Sequence, residues 1–591
     1  DKVMTDPATL TEFINYCKTN FPANRNELIF WDHGSGSVSG YGYDEKYKSS
    51  GSMSLAGINS ALRAGGIQFD FVGFDACLMA TMETALMLDN YADYLIASEE
   101  TEPGYGWYYT DWLNLFSNNT SVPTVQIGKQ IVDDFITTSN SQCPGQKATL
   151  SLVDLAELSN TAPSAFNAFS NSISELVENG GYKTVSNARS QSREFASSSS
   201  TKIDQVDLTD LAQRLGNSEG EVLADAILGA VKYNRTVSSI TNAYGLSIFF
   251  PYRNVRYVDK VTGTYDEIGL DSAYTKCIQK FAAMEAGGQA GTGGSSSPWG
   301  SLIGSYSDSD YSGYSGYSDY SGYSSGSGSS GYSDDYLSEL IGSLIGGSFR
   351  SVAGLDESNS RFIAESGLSA EQITEFVINN RFDPSNLRWT QNEDGDYLLK
   401  IPEDQLGLIH DLDLNVFYND GEGYFNMGLD DIYDFDADGN LIADSSGAWI
   451  GINGRAVPYY HIDTVDDGEN LIITGKVPAI LNGETAVDLI VVFENDEPGR
   501  VAGAYYVYDN ADEPMSAKNL TELNDGDTLD FYSDYYDYEG NYIDTYYSGA
   551  QIVIDGDLEV SDLYLPEGDV IIMYRITDIY GQEYWTDFIR K

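Results

Sequence analysis

Histidine and cysteine are the scarcest residues with catalytic chemistry in this sequence. The 591 residues contain only 3 histidines and 4 cysteines. The histidines are His33, His410 and His461, and the cysteines are Cys17, Cys77, Cys143 and Cys277. So few cysteines in so long a chain exclude a disulfide-stapled scaffold. Any cysteine–histidine pair in the N-terminal half must use His33, because the other two histidines lie far downstream.

Basic residues and long apolar runs are also lacking. The chain has 32 Lys and Arg residues against 90 Asp and Glu residues, and its formal net charge is -58. Such a surface repels nucleic acid phosphates and attracts basic proteins or peptides, which argues against a DNA or RNA partner. Solubility in an extracellular or salty setting explains the charge equally well. No run of about 18 apolar residues occurs, so no membrane span is predicted.

Two short apolar runs, each typical of a buried strand, have a reactive residue at or near their ends. The run Leu28–Gly34 (LIFWDHG) contains His33, and the run Phe69–Cys77 (FDFVGFDAC) ends in Cys77. Between them, Ser54–Ala64 has the apolar spacing of a helix, and two glycines follow as a stop signal. Strand, helix and strand in this order predict a parallel crossover unit. Both reactive residues then emerge at the carboxyl edge of the sheet, where α/β folds bind ligands.

Each of these residues, taken alone, also has a purely structural explanation. His33 could be a capped histidine in a loop, and Cys77 could be a small apolar residue in the core. Together with two later motifs, however, the runs resemble the clostripain family of cysteine peptidases, part of the larger caspase-like group. The matching stretches are FWDHG at 30–34, VGFDAC at 72–77, ASEETEPGYGW at 97–107 and YGLSIFFP at 244–251. The resemblance covers residues 1–285.

The resemblance implies a caspase-like α/β fold, an α/β/α sandwich with a mostly parallel sheet. It implies Cys77 as the nucleophile, His33 as the general base, and the backbone N–H groups of Gly34 and Cys77 as the oxyanion hole. It implies no third, orienting carboxylate. Asp75 matches an S1 aspartate that pairs with arginine or lysine at P1. We also expect a helix directly after Cys77, whose N-terminus would stabilise the thiolate.

Two further expectations concern activation. Lys46 and Lys48 lie in a polar loop between the catalytic residues, where relatives undergo activating cleavage, although an ordinary surface loop explains these lysines equally well. Family members also carry a strand and a helix upstream of the first strand found here. We therefore expect an N-terminal fragment of the same precursor to stay bound and complete the sheet. The sequence starts at Asp1 without a leader, so any secretory signal has been removed or lies outside it.

The downstream sequence divides into a linker and a β-rich region. Residues 286–350 are rich in Gly, Ser, Tyr and Asp and cannot form a core, which predicts a flexible linker. In residues 351–591 the sequence pattern predicts one helix at Leu368–Ile378, followed by strands separated by turn signals. This pattern is typical of a β-sandwich or a pair of small β modules. The predicted domains are therefore 1–285, 286–350 and 351–591.

One turn in the β-rich region resembles half of a calcium-binding loop. Asp434, Asp436 and Asp438 in DFDADGN match the first ligand positions of an EF-hand, but the twelfth position is Ser445 rather than glutamate. A β-turn closed by Asp and Gly is the alternative to calcium. The peptidase chemistry itself requires no cofactor. We expect His461 to be a strand residue.

These observations predict a secreted or extracellular endopeptidase, with the bacterial cell surface as an alternative location. It would cleave protein or peptide substrates after Arg or Lys by a Cys/His dyad and mature from a zymogen by autoprocessing. The alternative is a non-catalytic surface adhesin or binding protein on a caspase-like scaffold. The joint presence of His33, Asp75 and Cys77 favours the endopeptidase hypothesis. A site that no longer catalyses a reaction has no physical reason to keep all three residues.

Overall fold

The structure is a computed structural model that describes most of the chain in two compact units. The described residues are 2–143, 146–196, 203–292, 341–342 and 354–591, without 432, 445, 467, 469, 496, 508–519, 522 and 566–569. Most of the predicted linker, residues 286–350, lies outside them. The N-terminal unit comprises Asp1–Ala282, Asn359–Ser366 and Tyr508–Leu520, and the C-terminal unit comprises Ala283–Ser358, Gly367–Val507 and Thr521–Lys591.

Helices and strands alternate through most of the N-terminal unit. The helices are α1 Pro7–Asn20, α2 Gly36–Ser39, α3 Leu55–Gly65, α4 Met82–Leu88, α5 Tyr109–Asn118, α6 Thr124–Gln142, α7 Leu155–Glu178, α8 Tyr182–Gln191, α9 Leu208–Leu215, α10 Ser218–Ala230, α11 Val258–Ile268, α12 Ser272–Thr292 and α13 Arg361–Glu365. Residues of α12 from Ala283 onward are assigned to the C-terminal unit. The strands are β1 Glu27–Trp31, β2 Phe69–Asp75, β3 Ala92–Ala97, β4 Thr149–Asp154, β5 Gln205–Asp207, β6 Val231–Thr236 and β7 Ser247–Phe249. Across the described ranges of the whole chain, no helix has the length and hydropathy that a membrane crossing requires.

The central sheet of this unit has the order β1-β2-β3-β4-β6. Strands β1, β2 and β3 run parallel, whereas β4 is antiparallel to both β3 and β6. The sheet is therefore mixed: β1, β2, β3 and β6 point the same way and β4 runs opposite to them, so the expectation of a mostly parallel sheet is confirmed in part. Hydrophobic periodicity locates strands but carries no information on their direction. Strand β7 pairs with β5 in a separate two-stranded ladder.

The helix caps around the first crossover agree with the sequence. Helix α1 starts after Asp6, whose side chain accepts a hydrogen bond from a first-turn N–H, and Pro7 occupies the first helical position. Helix α3 starts after Ser54, whose hydroxyl also accepts from a first-turn N–H, and it ends at Gly66 in the left-handed conformation, with φ 61°. These caps delimit α3 as the connection between the parallel strands β1 and β2.

One face of the central sheet packs against α6. Phe71, Ile96 and Leu152, from β2, β3 and β4, share an apolar cluster with Ile131 and Phe135 of α6. None of these five side chains is more than 1 % exposed. Each buried side chain of this size contributes roughly 1.5–3 kcal/mol relative to leaving it in water. This packing holds together the strands that carry the candidate site.

The C-terminal unit is mostly β-structure. Its helices are α14 Ala370–Asn379 and α15 Glu403–Leu406. Its strands are β8 Trp389–Gln391, β9 Tyr397–Leu399, β10 Ile409–Asn419, β11 Tyr424–Asp430, β12 Asp434–Phe435, β13 Leu441–Ile442, β14 Ala448–Ile452, β15 Arg455–Ala456, β16 Tyr459–Asp466, β17 Leu471–Leu481, β18 Thr485–Glu494, β19 Arg500–Tyr506, β20 Leu520–Thr521, β21 Thr528–Tyr536, β22 Tyr542–Tyr547, β23 Ile552–Val553, β24 Val560–Tyr564, β25 Val570–Asp578, β26 Glu583–Trp585 and β27 Ile589–Arg590. His461 lies in β16, as expected.

Strand pairing makes the large C-terminal sheet barrel-like rather than sandwich-like. β11 pairs with β16, β16 with β17, β17 with β21, and β21 with β11, so four strands close into a ring. The expectation of a sandwich is therefore wrong. Gly428 lies where β11 meets β16: its φ is 107°, and a Cβ there would lie 1.8 Å from the carbonyl oxygen of Tyr459. Val477, Leu489 and Phe531 belong to the buried core of this unit.

Candidate active site

Strands β1 and β2 bring His33 and Cys77 to the same level of the sheet. The two strands pair in parallel, with Trp31 opposite Asp75. His33 follows Trp31 by two residues, and Cys77 follows Asp75 by two residues. Because neighbouring parallel strands end at the same edge, both residues leave the sheet side by side. The predicted crossover unit is confirmed.

The residue after His33 contacts the backbone of Cys77. A Cβ added to Gly34 would lie 2.0 Å from the carbonyl oxygen of Cys77 and 3.0 Å from Cγ of Met79. A side chain at this position would therefore displace the Cys77 backbone, and glycine allows the close approach. This contact brings together the two residues whose N–H groups we expect to form the oxyanion hole.

The segment after Cys77 differs from the sequence-based expectation. Helix α4 begins at Met82, with Thr81 as its N-cap, so Cys77 does not lie at a helix N-terminus and that source of thiolate stabilisation is absent. Leu78 has a left-handed φ of 64°. The chain then runs beside Ser98–Glu100, whose carbonyl groups accept hydrogen bonds from the N–H groups of residues 78 and 80. These backbone bonds replace the helical bonds that the apolar spacing suggested.

A backbone amide, instead of a helix end, faces the sulfur of Cys77. The N–H of Glu102 donates to Cys77 Sγ over 3.2 Å. Cys77 itself is fully buried. A donor directed at the sulfur stabilises negative charge there, whereas burial opposes it. The motif at 97–107 therefore contributes directly to the surroundings of the predicted nucleophile.

Asp75 is fully buried next to this motif and is held by it. Its Oδ2 accepts hydrogen bonds from the N–H of Trp107 over 3.1 Å and from the hydroxyl of Tyr109 over 3.0 Å. A Cβ added to Gly106, whose φ is 60°, would lie 2.5 Å from Asp75 Oδ1. Glycine satisfies both the left-handed backbone and the close approach, so the loop can fold around the carboxylate.

The loop after β1 carries Asp32, His33 and the two lysines of the predicted processing segment. Asp32 accepts hydrogen bonds from the N–H of His33 over 2.7 Å and from the N–H of Tyr43 over 3.3 Å. These bonds join the backbone at His33 to the backbone at Tyr43 through one carboxylate. Lys46 and Lys48, further along, are both exposed. The predicted processing segment is therefore accessible from solvent.

A buried acidic pair, which we did not predict from the sequence, adjoins the site. Glu99 and Asp207 are fully buried and share a side-chain hydrogen bond. Glu99 Oε2 accepts from the N–H of Gly245 over 2.9 Å, and Asp207 Oδ2 accepts from the N–H of Tyr244 over 2.6 Å. Burial raises the pKa of Glu99 well above its usual range and that of Asp207 to about 7. The pair connects the motif at 97–107 with the motif at 244–251.

Asp436 in the DFDADGN turn accepts hydrogen bonds from the backbone of its own turn. Asp436 Oδ1 accepts from the N–H of Asp438 over 2.9 Å and from the N–H of Asn440 over 2.8 Å, while Asp434 lies in β12. Within the ranges that the structure describes, no group of three or more His, Cys, Asp or Glu residues is arranged to hold a metal ion. Ser445 lies outside those ranges. The geometry is that of the β-turn alternative, and calcium binding stays a prediction.

Comparison with known proteins identifies a family for the region that contains this site. The model of the peptidase family described as the clostripain family matches residues 1–262. That range includes His33, Asp75, Cys77 and the two motifs that surround them. No curated protein matches the chain.

Solved structures of C11 proteases are similar to part of the chain. A secreted C11 cysteine protease from Bacteroides thetaiotaomicron, in complex with an irreversible peptide inhibitor, is 20% identical, with 45% of this chain and 78% of that chain covered and a TM-score of 0.34. An inactive zymogen of a C11 protease from Parabacteroides distasonis is 21% identical, with 45% and 77% covered and a TM-score of 0.34.

Proposed function

We propose that this chain, which belongs to the clostripain family of cysteine peptidases through residues 1–262, is an endopeptidase that cleaves after arginine or lysine. Cys77 is the nucleophile and His33 is the general base of a Cys/His dyad. The observation that carries this proposal is the parallel register of β1 and β2, since both residues follow the Trp31–Asp75 pair by two positions. The contact of Gly34 with the Cys77 carbonyl supports it.

The reaction follows from the chemistry of these groups. His33 takes the thiol proton of Cys77, and the thiolate adds to the carbonyl carbon of the scissile bond while the carbonyl electrons move to oxygen. The N–H groups of Gly34 and Cys77 donate to that oxyanion. The imidazolium of His33 protonates the leaving amine as the C–N bond breaks, which leaves a thioester. Water, deprotonated by His33, hydrolyses the thioester and regenerates the thiol.

Asp75 is the source of the basic P1 specificity. It is buried on the strand that leads to the nucleophile, two residues before Cys77. A buried carboxylate favours a cationic P1 side chain because a neutral one gains nothing from the charge. The net charge of -58 supports the same substrate class, since it attracts basic peptides at long range.

Maturation and location complete the proposal. The exposure of Lys46 and Lys48 supports activating cleavage in their loop by a lysine-accepting enzyme. Among the described strands β1 pairs only with β2, and Trp31 at its end is 70% exposed, which supports pairing of an N-terminal precursor fragment at this edge. The acidic surface suits a secreted protein. Native mass spectrometry should detect the second chain, and full activity without one would contradict its role.

Covalent labelling tests the nucleophile and the specificity together. Peptide chloromethyl ketones with Lys or Arg at P1 should label the wild-type protein, whereas a reagent with Asp at P1 should not. Cys77→Ala should abolish labelling, and Cys17→Ala, which removes a partly exposed free cysteine, should leave it unchanged. Labelling that persists in Cys77→Ala would show a different nucleophile. No labelling of folded protein, even with the precursor fragment added, would favour the non-catalytic adhesin or binding protein.

A further inference from the structure

The backbone that follows the nucleophile is held from two sides by segments that are distant in sequence. On one side, the carbonyl groups of segment 98–100 accept hydrogen bonds from the N–H groups of Leu78 and Ala80. On the other side, the hydroxyl and the backbone N–H of Ser247 both donate to the carbonyl oxygen of Ala80, over 3.0 Å and 2.9 Å. The β5–β7 ladder, in which Ser247 lies, is therefore bonded to the segment after Cys77.

Gln205 donates to the carbonyl group of the residue directly after the nucleophile. Its side chain is only 1% exposed, and its Nε2 donates to the carbonyl oxygen of Leu78 over 3.0 Å and to Ser247 Oγ over 2.7 Å. Gln205 begins β5, and Ser247 begins the partner strand β7. A primary amide has two N–H donors, so one side chain can bond both groups.

The same side chain contacts the loop that follows β1. A Cβ added to Gly36, whose φ is 54°, would lie 2.1 Å from Gln205 Oε1 and 3.1 Å from the carbonyl oxygen of Leu78. Gly36 lies two residues after Gly34, and Leu78 directly follows Cys77. One buried side chain therefore touches both segments that carry the proposed oxyanion donors.

The backbone of Leu78 needs such support because its φ of 64° is left-handed. This conformation brings a side chain close to the following carbonyl oxygen and is unfavourable for leucine. It persists only where the surrounding structure holds it. A relaxed Leu78 would turn the peptide group that joins it to Cys77, whose carbonyl oxygen packs against Gly34. The two oxyanion donors would then lose their mutual alignment.

We propose that Gln205 is a positioning residue of the oxyanion hole. Through Leu78 it holds the N–H of Cys77, and through Gly36 it holds the loop that carries the N–H of Gly34. This inference rests on the proposed function and deepens it. Oxyanion donors act at about 3 Å from the position that the oxyanion occupies, so a small displacement weakens the stabilisation. Gln205 acts through the backbone and is not itself a donor to the oxyanion.

Two reactions of the same thiol separate the oxyanion hole from the rest of the site. With a peptide aldehyde, the sulfur of Cys77 bonds to the carbonyl carbon and the thiol proton ends on the oxygen, which lies in the oxyanion hole. With iodoacetamide, the sulfur displaces iodide from a CH₂ carbon, and no oxyanion forms. Both reactions use the same thiol beside the same His33. A defect confined to the first reaction is therefore a defect of the oxyanion hole.

Gln205→Met keeps an unbranched side chain and removes both N–H donors. For a peptide substrate with Arg or Lys at P1, we expect kcat/KM to fall roughly 10²-fold, mainly through kcat, as for a small displacement of reacting groups. The Ki of the matching peptide aldehyde should rise by a similar factor. The rate constant for alkylation by iodoacetamide, followed by mass spectrometry of the Cys77 peptide, should stay unchanged.

Gln289→Met is the matched control variant. Gln289 is also buried, at 4% exposure, and its Nε2 donates to Glu285 Oε1 over 3.2 Å and to the carbonyl oxygen of Tyr580 over 3.0 Å. It belongs to the C-terminal unit. The substitution removes bonds of the same kind, and we expect kcat/KM, the aldehyde Ki and the alkylation rate to stay unchanged.

Two results for folded Gln205→Met would overturn the inference: an unchanged aldehyde Ki, or an equal loss in the alkylation rate, which would indicate general damage to the site. Should Gln205→Met not fold, Ser247→Ala replaces it. This variant removes one partner of the Gln205 amide and keeps the backbone bond to Ala80. It should raise the aldehyde Ki to a smaller extent with the alkylation rate unchanged, and an unchanged Ki would equally overturn the inference. Wild-type protein that cleaves neither arginine nor lysine substrates would refute the proposed function itself.

Discussion

Two pairs of acidic side chains, one pair in each unit, lie in opposite environments. In the N-terminal unit, Glu99 and Asp207 are buried, and burial raises the pKa of both carboxyl groups. In the C-terminal unit, Asp436 and Asp527 lie in surface turns, where hydrogen bonds from asparagine side chains hold the pKa of each below its ordinary value. A net charge of -58 therefore does not by itself indicate where a site lies.

Burial alone does not indicate a site either. Asp578 in the C-terminal unit is buried, and burial raises its pKa to about 7. It accepts hydrogen bonds from the N–H groups of Tyr580 and Gln582, which belong to its own turn. The Glu99–Asp207 pair instead joins two motifs that are distant in sequence and lie beside the nucleophile. The Glu99–Asp207 pair therefore differs from Asp578 in connecting separate segments.

We expect the largest loss of activity from a substitution that disturbs the contact between Gly34 and Cys77. Such a substitution alters the candidate site and leaves the C-terminal unit intact. A Cβ in Gly34→Ala would lie 2.0 Å from the Cys77 carbonyl oxygen, so the two oxyanion donors would be displaced. We expect kcat/KM to fall roughly 10²–10³-fold. Gly263→Ala in α11, where nothing lies within 4 Å of an added Cβ, is the control and should retain activity. Full activity of Gly34→Ala would contradict the oxyanion role.

A cavity in the C-terminal unit should affect stability but not chemistry. Leu489 is fully buried in the core of that unit. We expect Leu489→Ala to lower the free energy of unfolding by about 2–5 kcal/mol, measured by denaturant titration, with kcat/KM of the folded protein unchanged. Leu471→Ala, at a position that is 38% exposed, should cost much less stability. A lower kcat/KM in folded Leu489→Ala would show that catalysis also depends on the C-terminal unit.

Because of the buried Glu99–Asp207 pair, we expect the N-terminal unit to lose stability as pH rises. The pKa of Asp207 is about 7 in the folded chain, against an ordinary 3.8, so folding retains a proton that the unfolded chain releases. This stabilisation is complete below about pH 4 and is lost as pH rises through about 7. We expect Tm to fall across this range, and Asp207→Asn to flatten the slope. Asp436→Asn should not change it, since the pKa of Asp436 lies below its ordinary value. An unchanged slope in Asp207→Asn would refute this assignment.

We expect the smallest change in Tm from a substitution in the turn that resembles a calcium-binding loop. Asp436→Ala removes the acceptor for the N–H groups of Asp438 and Asn440, so Tm should fall less than in Leu489→Ala. Excess calcium should leave the Tm of both proteins unchanged if the loop is a β-turn. A calcium-dependent rise in the wild-type protein that Asp436→Ala abolishes would instead reveal a metal site.

Local patterns were enough to predict where His33 and Cys77 lie in the fold. The apolar runs of β1 and β2 end near His33 and Cys77, and the caps at Ser54 and Gly66 delimit the helix between them. These features depend on neighbours in sequence. The helix start after Cys77 was wrong because Leu78 and the residues after it form backbone bonds with the segment at 98–100, which no local pattern reports.

The sequence by itself determined the chemistry available around the nucleophile: one histidine, one glycine beside it, a strand aspartate and three nearby glutamates. Only the tertiary structure decided what each glutamate does. Glu99 pairs with Asp207, Glu100 joins two backbone segments, and Glu102 reaches Trp107. The physical reason is that the free energy of a buried carboxylate depends on the donors around it, and distant parts of the chain supply several of those donors only after folding.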